Sequence, residues 1–159
     1  DVFVGLSKGG ILDPDWVRTM ASKAVIFAQA LPEPEIPPEA AAAAGASIVA
    51  SGLYDYPNVI SNLHSTPGIM RGALDVRAAS LNDNIFLSAA RALASVVDRR
   101  MLGPRHIMPD LFCDEVVPKV AEAVAQSAVA DGLAAHPLPK GQVYNDTWER
   151  LFGGRAARL

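Results

Sequence analysis

The 159-residue chain is 50% hydrophobic with a formal net charge of −3, a balance that suits a globular core and excludes the strongly basic surface of a nucleic-acid binder. No apolar run approaches the roughly 20 residues of a membrane-spanning helix. A single cysteine, Cys113, excludes an internal disulfide and a cysteine-built metal cluster and fits a reducing compartment.

In chain order, Val2-Phe3-Val4-Gly5-Leu6 reads as a strand. The chain therefore starts inside an element at Asp1; the expectation is a processed or excised part of a longer polypeptide, with an upstream part in another chain as the alternative. Ser7-Lys8-Gly9-Gly10 follows as a Gly-containing turn, and Asp13-Pro14 supplies an N-cap and a first-turn proline for a helix through about Ala21. With no G-x-G-x-x-G present, Gly9 and Gly10 by spacing alone close a strand-to-helix turn. Ala24 to Ala28 is the second predicted strand. The proline-rich loop Pro32 to Pro38 can be neither helix nor central strand, and Glu39 to Ala44 is a short helix ended by Gly45. Ser47 to Ser51, with Ile48 and Val49 side by side, has the pattern of a strand buried on both faces. Alternating strands and helices over so few residues imply right-handed parallel crossovers and an α/β fold.

A loop opens at Gly52, where Asp55, Pro57 and Asn58 are turn formers that lay it over a strand end, the place where open α/β sheets bind ligands. Asp55 and Asn58 read as residues that brace this loop through their own backbone. Beyond Pro67-Gly68 the apolar residues Ile69, Met70, Ala73, Leu74 and Ala78 fall at helical spacing, leaving Arg71, Asp75 and Arg77 for the polar side; a solvated face is the expected role of Arg71, with an acidic partner as the other. His64, a lone histidine, reads as packed and hydrogen-bonded. Ser80 and Asp83 predict a capping box for a long helix whose stripe is Ile85, Leu87, Ala89, Ala90, Leu93, Val96 and Val97. Asp114 to Ala130 predicts another amphipathic helix, with Pro118 in its first turn. In the tail, Tyr144, Trp148, Leu151 and Phe152 share one face of a short helix that requires a packing partner on this domain or on a neighbouring subunit.

The stretch Gly52-Leu-Tyr-Asp-Tyr-Pro-Asn-Val-Ile-Ser-Asn62-Leu-His-Ser-Thr-Pro-Gly-Ile-Met-Arg-Gly-Ala-Leu-Asp-Val-Arg-Ala78 resembles the bacterial malic enzymes. In that family a strand ending in Thr-Gly runs into Gly-Arg-Ser-Asp-Tyr-Pro-Asn-Gln, a pair of Asn, and then Phe-Pro-Gly-Ile-Phe-Arg-Gly-Ala-Leu-Asp-Val-Arg-Ala. Asp1-Val-Phe-Val-Gly-Leu-Ser7, Ile26-Phe-Ala28 and Pro32-Glu-Pro-Glu-Ile36 are similar to further strand ends of the same family domain.

The resemblance implies a Rossmann-like parallel sheet, the second half of a doubly wound nucleotide-binding domain over residues 1–133, followed by C-terminal helices and a tail over 134–159. It implies NAD or NADP as cofactor, lined by Gly5, Leu6, Ser7, Leu31, Ser51 and Gly52, and Asn62 as an amide holding the substrate carboxylate or the nicotinamide ribose. Read without the family, Asn62 is equally a helix-capping or loop-bracing residue. The glycine-rich phosphate loop, the acidic ligands of a divalent metal (Mg or Mn) and the acid/base groups lie upstream in the family, so catalytic and metal-binding residues are expected outside this segment. The implied whole is a cytoplasmic, homo-oligomeric oxidoreductase that decarboxylates malate or a related 2-hydroxy acid and in which this chain pairs with the missing N-terminal half. A non-catalytic nucleotide-binding or regulatory subunit is the alternative. Leu31 stands for a family Asn, and Leu53, Val59, Ser61 and Thr66 for Arg, Gln, the first Asn of the pair and Phe. Losing several hydrogen-bonding groups among these implies an altered acid specificity.

Overall fold

The computed structural model describes residues 1–153; the end of the tail, residues 154–159, lies outside them. The chain forms two compact units, Asp1–Ser61 with Asp98–Met108, and Asn62–Val97 with Pro109 onward.

The first unit is built on three parallel strands in the order β1 (Val2–Gly5), β2 (Val25–Ala28) and β3 (Ile48–Ser51), linked by helices α1 (Pro14–Arg18) and α2 (Pro38–Ala43). Asp13 caps α1 by accepting from the Asp15 N–H at 2.8 Å, and Pro14 occupies the first turn, as the sequence requires. The helix stops at Arg18 rather than near Ala21. The Thr19 and Met20 N–H groups fall back on carbonyls three residues earlier, and Lys23 takes a left-handed φ of 68° that turns the chain into β2. Along β2 the side chains alternate. Ile26 and Ala28, fully buried, join Val17, Ala41, Ala44, Ile36 and Val49 in the core, while Val25 and Phe27 point to the opposite face. On β1 the matching positions Val2 and Val4 are 59% and 58% exposed, and β1 has no strand on its outer edge among the described residues. β3 is buried at Val49, Ala50 and Ser51, as its unbroken apolar pattern implies.

The second unit is helical: a single 3-10 turn at Asn62–His64, then α3 (Thr66–Asp75), α4 (Asp83–Val96), α5 (Val116–Ala130) and α6 (Gln142–Phe152). α5 is the central element, with Val120, Ala121, Val124, Ala125 and Ala128 fully buried and α3, α4 and α6 all packed on it. Gly68 and Gly72, one turn apart on α3, allow that helix to lie directly on α5. A Cβ on Gly68 would stand 2.6 Å from the Val120 Cβ.

Three sequence expectations change here. The cap of α4 is Asn82 and not Ser80: its Oδ1 accepts from the Ile85 N–H at 3.0 Å, and its Nδ2 donates to Asp131. Long-range pairing is the cause, since Ala78 bridges Ala134 and the Ala79 N–H donates to Leu133 O, holding the chain extended at that point. The α4 stripe is Ile85, Ala89, Leu93 and Val96, while Leu87 and Ala90 are exposed. Leu87 lies roughly 200° around the helix from Ile85. Finally, α6 docks through Val143 and Thr147 and not through its aromatic row, and its partner is α5 of the same chain. Glu122 of α5 decides this by accepting from the Gly141 N–H at 2.6 Å and the Tyr144 N–H at 3.0 Å, which satisfies amides that open α6. Tyr144 stacks on Trp148 with centroids 6.0 Å apart, and Phe152 meets Trp148 at a tilt with centroids 4.9 Å apart. No helix among the described residues is long and apolar enough to cross a membrane.

Candidate functional site

Parallel pairing brings Gly5, Ala28 and Ser51 into one row at the carboxyl ends of the three strands. The row continues beyond the strands, with Gln29 N–H on Gly5 O at 3.0 Å and Gly52 N–H on Ala28 O at 3.4 Å. Gly5, Leu6, Ser7, Leu31, Ser51 and Gly52 are thereby gathered on one rim. Gly5, Ser51 and Gly52 are buried, whereas Leu6 and Leu31 are 79% and 59% exposed and Ser7 is open to solvent. A Cβ on Gly52 would stand 3.1 Å from Gln29 O and 3.4 Å from the Leu31 side chain, so this glycine lies close under Leu31. Ser51 is held from three directions: its Oγ accepts from Leu53 N–H, its N–H donates to Asn58 O, and its carbonyl accepts from Ile60 N–H. The rim is thus a backbone floor with small residues, overhung by two exposed leucines.

Beneath it lies Glu35, a carboxylate with no exposed surface. Its Oε1 accepts from the Ser7 N–H and its Oε2 from the Ala30 N–H, each at 3.0 Å. Burial alone would raise the carboxyl, but the amides of Ala30, Ser7, Glu35 itself and Gln29 outweigh it and hold the group below its ordinary 4.5. A depressed carboxyl stabilises the fold above the unfolded value and loses that contribution as pH falls through the lower folded value. Urea unfolding of the parent and of Glu35→Gln across acid pH is therefore expected to show a stability difference that is full above 4.5 and shrinks below it. Sequence reading passed over Glu35. The available signal was its place in Pro32-Glu-Pro-Glu-Ile36, between proline-restricted backbone and the buried Ile36.

The family model for the malic enzyme NAD binding domain matches residues 1–129. This chain belongs to the malic enzyme NAD binding domain family. It is 46% identical over 147 residues to the bifunctional malic/malolactic enzyme of Bacillus subtilis (strain 168), covering 92% of this chain and 36% of that protein. The NADP-dependent malic enzyme of Rhizobium meliloti (strain 1021) is 40% identical over 91% of this chain and 21% of its own length. Among solved structures, the malic enzyme of Pyrococcus horikoshii Ot3 superposes with a TM-score of 0.91 at 38% identity, covering 100% of this chain and 36% of that one. The chain thus spans about a third of the Bacillus and Pyrococcus malic enzymes.

The malic enzyme stretch itself divides between the two units. Asn58 in the first unit is buried and braces the loop, but through distant partners rather than its own backbone: its Nδ2 donates to Val49 O at 2.9 Å and Pro104 O at 2.8 Å, and its Oδ1 accepts from Ile107 N–H at 3.1 Å. Asp55 is exposed. In the second unit Asn62 opens the 3-10 turn, its carbonyl accepting from Ser65 N–H at 3.2 Å, with its side chain exposed. His64 is 1% exposed and its Nε2 lies 3.2 Å from Pro109 O, the packed and bonded role expected of it. Arg71 takes the acidic partner rather than the solvated role. It pairs with Asp75 one turn on, their side chains 25% and 13% exposed, as part of the malic enzyme segment Arg-Gly-Ala-Leu-Asp.

Proposed function

We propose that this chain is the second half of the dinucleotide-binding domain of an NAD(P)-dependent malic enzyme, an oxidoreductase that decarboxylates malate or a related 2-hydroxy acid when complete. The observation that carries this reading is the rim at the strand ends. There Gly5 and Gly52 keep side chains off the backbone floor, and Leu6 and Leu31 offer apolar surface to a flat ring. Those features fit a dinucleotide. A bound dinucleotide would supply the hydride acceptor for oxidation at the hydroxyl-bearing carbon. The contribution of this chain is binding and orientation. Gly5, Leu6 and Ser7 line the cofactor from β1, Leu31 from β2, and Ser51 and Gly52 from β3, with Ser51 acting through the loop it holds. Asn62 offers an exposed amide that both donates and accepts, suited to a carboxylate or ribose.

The outer edge of β1, unpaired among the described residues and with Val2, Val4 and Leu6 exposed, supports pairing with a further strand from the preceding half of the protein. Among the described residues no three of His, Cys, Asp and Glu gather to hold a metal, and the divalent metal of the complete enzyme is assigned to ligands outside this segment. Exposed Met70, Leu74, Phe86 and Leu87 in the helical unit support a homo-oligomer, and the free Cys113 supports a cytoplasmic setting.

The test is carried out on the complete polypeptide, supplied with NAD or NADP, a divalent metal and a panel of 2-hydroxy acids beginning with malate. Dinucleotide reduction coupled to carbon dioxide release is the expected result; its absence with every acid would overturn the reading. Within the same assay, Leu31→Asn together with Ser61→Asn is expected to raise kcat/KM for malate by about tenfold, because a hydrogen-bonding site discriminates against substrates that leave its polar groups unpaired. No gain would show that these two positions do not set specificity.

A further inference from the structure

We infer that Glu35 is a positioning residue for the dinucleotide rim: a buried carboxylate clamp that sets the backbone from which Leu6, Ser7 and Leu31 reach the cofactor. This deepens the functional reading above and rests on it. Each carboxylate oxygen holds a different strand-end loop, Oε1 the Ser7 amide after β1 and Oε2 the Ala30 amide after β2. Those two amides adjoin Leu6 and Leu31, the two exposed leucines of the rim. The peptide backbone around Glu35 adds to the same seam, with Leu12 N–H on Glu35 O at 2.9 Å and Gly10 N–H on Pro34 O at 3.0 Å. Gly5 is part of the device. A Cβ there would stand 2.7 Å from the Glu35 Cγ, so only glycine lets the carboxylate pass under the rim.

Two features argue that the clamp serves the ligand site rather than core stability alone. Among the described residues Glu35 forms no ion pair with Lys, Arg or His, so its charge is balanced only by backbone amides. A buried charge is a poor means of gaining stability, since apolar replacements of buried ionic groups are often neutral or better. Its amides also belong to loops at the carboxyl edge of a parallel sheet, where displacement moves ligand contacts and leaves the strand ladder intact. Two acceptors on one rigid group are needed to fix both loops at once. A glutamine supplies one acceptor and turns its N–H₂ toward the other amide.

The experiment uses the complete polypeptide with Glu35→Gln and, where that variant fails to fold, Glu35→Asp. Dinucleotide KM and kcat are measured near neutral pH, and backbone hydrogen exchange is followed at Ser7, Ala30 and the β2 amides of Ile26 and Phe27. The expected result is a dinucleotide KM raised about tenfold at nearly unchanged kcat, with faster exchange confined to Ser7, Ala30 and their loop neighbours. An unchanged KM overturns the inference, as does faster exchange spread evenly through β2, which is the signature of a purely structural carboxylate. If the parent protein turns over no dinucleotide, the functional reading fails instead, and localised exchange at Ser7 and Ala30 still decides whether the clamp exists.

Discussion

Gly72→Ala is expected to lower stability by about 3 kcal/mol, despite the better helix propensity of alanine. Gly72 sits mid-way along α3 facing α5, where an added Cβ would meet the Ala121 carbonyl oxygen well inside contact distance and the Val124 Cβ at 2.9 Å. The nearest of these is backbone in the interior of a packed helix, and neither it nor the fully buried Val124 can turn aside as a flexible side chain would. The methyl therefore forces α3 and α5 apart, and the separation propagates to Gly68, which faces Val120 one turn away. Helical circular dichroism through a urea titration checks this, with Leu74→Ala as the control. Leu74 is on the same helix but 68% exposed, and its truncation is expected to stay within about 0.5 kcal/mol. Equal midpoints for the parent and Gly72→Ala would show that the two helices do not rely on this close approach.

The same two glycines mark how far the sequence can be read. The period of Ile69, Ala73 and Ala78 announces a helix, yet only the presence of α5 opposite explains why Gly68 and Gly72 interrupt it. Local signals located the strands, because β-branched runs bounded by Gly, Pro and Asp permit little else. They failed where a distant segment competes: Ser80 had the chemistry of a cap, but pairing of Ala78 and Ala79 with Leu133 and Ala134 moved the helix start to Asn82. The tail helix shows the same limit, since the polar contacts of Glu122 chose the Val143 and Thr147 face over a more hydrophobic one. At the candidate site, Gly5, Leu6, Ser7, Leu31, Ser51 and Gly52 are named by the resemblance to the malic enzymes, and parallel pairing sets them along one rim. Glu35 was invisible to sequence reading because a carboxylate in a proline-rich loop reads as solvated until the amides of two other loops are brought around it.

Asn58→Leu is the second large effect, a loss of about 3 kcal/mol carried by unpaired polar groups rather than lost volume. Leucine matches asparagine closely in size, but its substitution strips partners from Val49 O, Pro104 O and Ile107 N–H together. The consequence reaches beyond stability, because Asn58 is what ties the 98–108 excursion to the sheet, and its own carbonyl receives the Ser51 N–H at the third strand end. Asn58→Asp separates the two contributions. Its carboxylate keeps an acceptor for Ile107 N–H but sets negative charge against two carbonyl oxygens, so the folded-state carboxyl is raised above the ordinary aspartate value of about 3.9. The penalty of a raised carboxyl is smallest below its unfolded value, where the one O–H of the protonated group restores one of the two donations the amide made, and it grows as pH rises toward the folded value. The deficit of Asn58→Asp is therefore expected to be largest near neutrality and to shrink on acidification, while that of Asn58→Leu does not follow this titration. Parallel, pH-independent deficits for both variants would mean that the Nδ2 bonds to Val49 and Pro104 do not carry the loop, and that the third strand end is held by the backbone contacts of Ser51 alone.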